Sequence, residues 1–150
     1  MPIHMKLIIF CFSVSLLTAQ TKPGVWQDAA NDKIWASSDN GSGVSWSQAA
    51  NYCRALTLGG FRDWRLPSID ELQQLVGPSA NASGYRITGP IKLTGWQWSS
   101  SPGLERGEAW ALDFGDGGRA SVVAGDSGLN RALCVHDPAK KDRHFPAVLF

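Results

Sequence analysis

Apolar residues recur at helical spacing in two stretches of the first half of the chain. Trp46, Ala49, Ala50, Cys53 and Leu56 fall on one face, which predicts a helix over 46–56 with Cys53 turned inward. Ile69, Leu72, Leu75 and Val76 do the same and predict a second helix over 69–76. Both starts carry the same cap chemistry. Ser45 stands three residues before Gln48, and Ser68 three before Glu71. Each serine hydroxyl can accept from the amide three residues on while the longer side chain reaches back to the serine amide. Pro67 pushes residue 66 towards extended geometry and so marks the boundary of the second helix. Thr57-Leu58-Gly59-Gly60 closes the first helix, with a glycine suited to a left-handed cap.

The pattern changes to alternation in the second half. Residues 95–99 alternate large and polar side chains, and 109–114 do so less strictly. Both read as strands. Asp116-Gly117-Gly118 makes a hairpin turn, 119–124 returns as a third strand, 125–129 turns again, and 131–135 is a last strand carrying Cys134. Two short strands over 25–35 turn at Asn31-Asp32, whereas 39–43 and most of 77–90 are loops rich in Gly, Ser, Asn and Pro. Two helices early and a small antiparallel sheet late give an α+β fold.

The first residues follow a different logic. His4 and Lys6 precede an apolar run over 7–17, followed by Thr18-Ala19-Gln20, the layout of a cleavable export signal. The run is too short to span a bilayer, which takes about 20 apolar residues. The expected organisation is a signal peptide over 1–19, one domain over 20–135 and a tail over 136–150, with a secreted or periplasmic product cleaved near Ala19. The chain holds 14 Lys and Arg against 13 Asp and Glu, and loss of Lys6 with the leader balances them. A balanced charge argues against nucleic acid as a partner. All seven tryptophans follow the leader, so aromatic side chains must supply much of the core.

Cys53 and Cys134 are the cysteines left after the leader. In an exported protein a pair reads as a disulfide rather than as reactive thiols. No metal site is expected, since three scattered His and two distant Cys lack ligand spacing. Asp113 and Asp116, spaced by glycines, invite a hard cation, but no glutamate completes the loop and an acidic hairpin turn is the preferred reading. His136 follows Cys134 closely, yet a bridged sulfur cannot act as a nucleophile, so neither enzymatic activity nor a cofactor is expected. Trp96 and Trp98, at alternate strand positions, share a face that reads as core rather than as a sugar platform. Tyr85, Arg86, Arg106 and Arg119 lie in the late loops and turns, where binding residues concentrate, and are the candidate ligand contacts.

The run from Gly59-Gly60-Phe61-Arg62-Asp63-Trp64-Arg65-Leu66-Pro67 into Ser68 and Glu71 organises the rest. Arg62, Asp63 and Arg65 are placed to satisfy loop carbonyls and one another beside Trp64, so the run reads as structural. Together with Val44-Ser45-Trp46-Ser47-Gln48-Ala49-Ala50-Asn51-Tyr52-Cys53 and Ala132-Leu133-Cys134-Val135, it resembles the Lcl C-terminal domain family over residues 26–135. Trp46, Asp63, Trp64, Arg65, Pro67 and Glu71 are then motif residues. The layout is similar to C-type lectin-like domains, in which a Trp-initiated helix bears a cysteine bridged to the last strand. The resemblance implies a C-type lectin-like fold and a non-catalytic module for glycan, sulfated polysaccharide or another extracellular polymer at the cell surface. The alternatives are a structural or protein-interaction module of the bacterial envelope and, more remotely, a relative of formylglycine-generating enzymes. The chain has neither a Glu-Pro-Asn sugar motif nor a Trp-Asn-Asp calcium motif, so calcium-dependent sugar recognition is not implied. Oligomeric state is left open.

Overall fold

A computed structural model describes residues 22–138; the expected leader and residues 139–150 of the expected tail lie outside the described residues. β1 (Val25–Asp28) and β2 (Lys33–Ala36) pair antiparallel from Val25↔Ala36 to Asp28↔Lys33. Their turn is held by the Asp28 carboxylate, which accepts from the Ala30 amide and the Asn31 side chain. α1 (Trp46–Ala55) and α2 (Ile69–Gln74) follow, each opened by a complete capping box. α2 stops before residue 76 because the Leu75 and Val76 amides bond three residues back, to Leu72 and Gln73, a tightening common at helix ends.

The end of α1 differs from expectation. Leu56 caps it in extended geometry. Gly59 and Gly60, at φ 61° and 77°, instead form a two-residue turn in which Leu58 and Phe61 exchange both backbone hydrogen bonds. Both φ values fall where a side chain is penalised.

The remaining strands are β3 (Trp96–Pro102), β4 (Glu108–Leu112), β5 (Arg119–Val123), β6 (Asn130–Arg131) and β7 (Val135–His136). They overturn the expectation of one small antiparallel sheet late in the chain. One sheet joins the first strands to the last in the order β1-β2-β7, and the other has the order β5-β4-β3-β6, with β3 and β6 parallel. The strand expected over 131–135 is broken in two, each part serving a different sheet. Residues 132–134 between them are wholly buried, and three of their backbone groups are satisfied by the end of β2 and the loop after it: Asn40 N donates to Ala132 O, Ala132 N to Asn40 Oδ1, and Ala36 N to Cys134 O. Buried amides need such partners, which is why the crossing holds. The boundary drawn at residue 135 falls inside β7.

The core gathers Trp35, Trp64, Trp98, Phe114, Leu72, Leu112 and Leu133. Trp98 is fully buried, with its indole N–H donating to Val44 O at 2.7 Å, whereas Trp96 is half-buried. Gln97, between them, is as buried as Trp98, so both faces of β3 are covered and alternation does not report exposure here. Gln97 donates to Asp39, which also accepts from the Thr94 amide, the Thr94 hydroxyl and the Gly41 amide. This buried carboxylate fixes the loop that delivers α1 onto β3. The Cys53–Cys134 bridge, with Cα atoms 5.5 Å apart, ties α1 to the crossing between the sheets. Among the described residues no helix is long and apolar enough to cross a membrane.

Candidate functional site

The run over 59–67 pairs with β7, Arg65 and Val135 exchanging both backbone hydrogen bonds at 2.9 Å. Trp64 and Pro67 are buried to either side, which holds the Arg65 backbone. Its guanidinium is fully engaged. Nη1 donates to Glu71 Oε2 at 2.9 Å and to Leu66 O at 3.2 Å. Nη2 donates to Glu71 Oε1 at 2.9 Å and Asp137 Oδ1 at 3.0 Å, and Nε to Asp137 Oδ2 at 2.8 Å. An arginine has five N–H donors in a fixed fork, and these contacts use all of them. Lys33 adds a second cation, 2.5 Å from Asp137 and 3.9 Å from Glu71.

The two carboxylates sit differently. Glu71 is 19 % exposed at its side chain and also accepts from the Ser68 amide as the second half of the α2 cap. Asp137 is 50 % exposed. Burial pushes the Glu71 carboxyl upward, but the Arg65 hydrogen bonds and charge, the Ser68 amide and Lys33 outweigh it and leave the group below its ordinary value. Hydrogen bonds from Arg65, opposed by partial burial and reinforced by Lys33, hold Asp137 well below the usual carboxylate range. Arg65 is raised in turn, chiefly by its bonds to Glu71 and then Asp137.

This network borders a groove of about 260 Å³ lined by Trp46, Ala50, Arg54, Arg65, Leu66 and Ser100. Trp46, Ala50 and Arg54 recur every four residues along α1, so they form one stripe. The small Ala50 leaves room between the indole and the guanidinium. Trp46 is fixed by its indole N–H, which donates to Ser99 O at 2.8 Å, and Arg54 reaches Asn51 at 3.0 Å. Leu66 and Ser100, the latter on β3, complete a lining that is almost wholly apolar. A concave, mainly apolar surface is the usual setting of a small-ligand site.

The residues expected from sequence are distributed unevenly. Trp46 and Arg65 line the groove, and Glu71 orients Arg65. Asp63 is exposed, at φ 60°, and shapes the turn before Trp64. Of the three charged residues beside Trp64, Arg65 alone joins the Glu71 and Asp137 network. Arg86 and Arg119 lie by the hairpin turn over 113–118: the Arg86 amide donates to Phe114 O, and Arg119 lies 4.8 Å over the Trp110 ring and 3.3 Å from Gln73, while the amide of Tyr85, next to Arg86, donates to Asn81 Oδ1. Arg106 sits at the opposite end of that hairpin, beside the Ala124 to Gly107 bond, so the four candidates do not converge. Asp113 and Asp116 accept from the amides of Gly115 and Gly118 inside the turn. Among the described residues no group of three or more His, Cys, Asp or Glu is arranged to hold a metal. Sequence reasoning missed Arg54, Leu66, Ser100 and Asp137. Arg54 was detectable from its four-residue spacing to Trp46 and Ala50, whereas Asp137 lies 72 residues from Arg65 and carries no local signal.

Comparison with curated proteins found no match. The family model described as the Lcl C-terminal domain matches residues 23–136, spanning every strand and helix described above as well as the groove, and the chain therefore belongs to the Lcl C-terminal domain family.

Proposed function

We propose that this chain is an exported, non-catalytic binding module of C-type lectin-like architecture that holds a glycan in the groove beside α1, with sulfated polysaccharide as the preferred class. Membership of the Lcl C-terminal domain family points to a cell-surface or adhesin-type module. The disulfide is consistent with an extracellular or periplasmic location. The observation that carries the reading is the Trp46, Ala50 and Arg54 stripe facing Leu66 and Ser100. A half-exposed indole offers an apolar face to a sugar ring, and Arg54 offers donors to a sulfate or carboxylate.

Titration with dextran sulfate tests it. Arg54→Ala should weaken binding by about tenfold or more, the equivalent of a charge-assisted hydrogen bond of roughly 1.5–3 kcal/mol, while leaving the melting temperature unchanged because Arg54 is exposed. Equal affinities of Arg54→Ala and wild type, or no binding by either, would refute the assignment. A protein-interaction role has its own support in Leu104, in the β3–β4 loop, and Val123, at the end of β5, apolar side chains 75 % and 62 % exposed. Capture of a protein partner that dextran sulfate does not compete for would favour it.

A further inference from the structure

Arg65 lines the groove, yet its five N–H donors are spent on Glu71, Leu66 and Asp137. An anion entering the groove must therefore displace a present partner or do without Arg65. The partners are unequal in what holds them. Glu71 is largely buried, caps α2 and bonds in a side-by-side pair, so its withdrawal leaves a buried charge and an uncapped helix. Asp137 is half exposed, follows the final strand and is also paired with Lys33, so Lys33 and water can keep its charge satisfied when it leaves Arg65. We infer that Asp137 is a built-in competitor: its carboxylate occupies Arg65 in the ligand-free protein and yields the Nε edge to a sulfate-bearing ligand. The inference rests on the groove reading above and names the residue that sets its affinity for anions.

The competitor lowers affinity by the strength of its own contact. Exposed ion pairs are worth up to about 1 kcal/mol, which at 1.4 kcal/mol per decade is two- to fivefold in affinity. Three variants separate the effect from net charge. Asp137→Asn removes the competing carboxylate. Asp137→Glu keeps it. Asp70→Asn makes the same charge change at an exposed neighbour of Glu71 that is not bonded to Arg65.

Glucose 6-sulfate is titrated into each at fixed ionic strength and followed by NMR, including the Arg65 Nε–H resonance, with inorganic sulfate as a parallel arm. Asp137→Asn should bind two- to fivefold more tightly than wild type, Asp137→Glu and Asp70→Asn within twofold of it, and the Arg65 Nε–H resonance of the wild type should move with saturation. If the sulfated sugar binds but Asp137→Asn is no tighter than Asp70→Asn, the competitor is refuted and the groove stands. A resonance that stays fixed while the sugar saturates the wild type refutes it without any variant. Absence of binding by every protein refutes both readings, and equal response to inorganic sulfate assigns the site to the anion rather than to the sugar.

Discussion

Removing the Cys53–Cys134 bridge should loosen the whole domain rather than one loop. The residues are 81 apart in sequence, so the bridge closes most of the described chain in the unfolded state. The chain-entropy relation then gives about 4.5 kcal/mol at 25 °C. Both cysteines are wholly buried, one on the inward face of α1 and the other in the crossing between the two sheets. Native-state strain and residual structure in the unfolded chain reduce the yield, and we expect Cys53→Ala and Cys134→Ala each to lose about 2–5 kcal/mol, a large share of the 5–15 kcal/mol typical of a domain. The double variant should fall within about 1 kcal/mol of either single one, since the first substitution already opens the loop. Urea denaturation followed by tryptophan fluorescence measures this. Peptide mapping without reduction supplies the chemical control. A double variant that costs the sum of the single ones, or recovery of the two cysteines in separate alkylatable peptides from native protein, would refute the reasoning.

Stability should fall in acid through Glu71 and Asp137, whose ordinary values are 4.5 and 3.8 and whose folded values are lower. The unfolded chain takes up these protons first, so their contribution is present above about pH 4.5 and is lost as pH falls through the depressed folded values. The melting temperature of wild type should drop more steeply below pH 4.5 than that of Arg65→Gln, and parallel curves would contradict the network. A Cβ added at Gly43 would collide with Ser127 O and lie 2.9 Å from Gly128 O, both backbone atoms, so Gly43→Ala should cost about 1–3 kcal/mol in urea denaturation. Gly125→Ala, with nothing within 4 Å, should change stability by less than about 0.5 kcal/mol.

Local chemistry was legible in the chain alone wherever partners lie within a few residues. The Ser45/Gln48 and Ser68/Glu71 boxes each span three residues, and the turn at Asn31-Asp32 is closed by Asp28. The inward face of α1 could be read from periodicity and, with the cysteine count, predicted the bridge. What tertiary structure decided involves partners far apart in sequence. Whether 130–136 is one strand or two depends on β2, the Asn40 loop and β3, which meet it from different directions. Whether Arg65 is available to a ligand depends on Asp137, brought to it by β7 pairing with both β2 and the 59–67 run. The four late candidates, Tyr85, Arg86, Arg106 and Arg119, looked alike in sequence because each is a polar-capable residue in or bordering a loop or turn. Only the β4–β5 register shows that a hairpin's length separates Arg106 from Arg119. Helix caps and periodic faces are set by bonds across one turn of chain, whereas a groove wall and its competing charge exist only once distant segments are closed against one another.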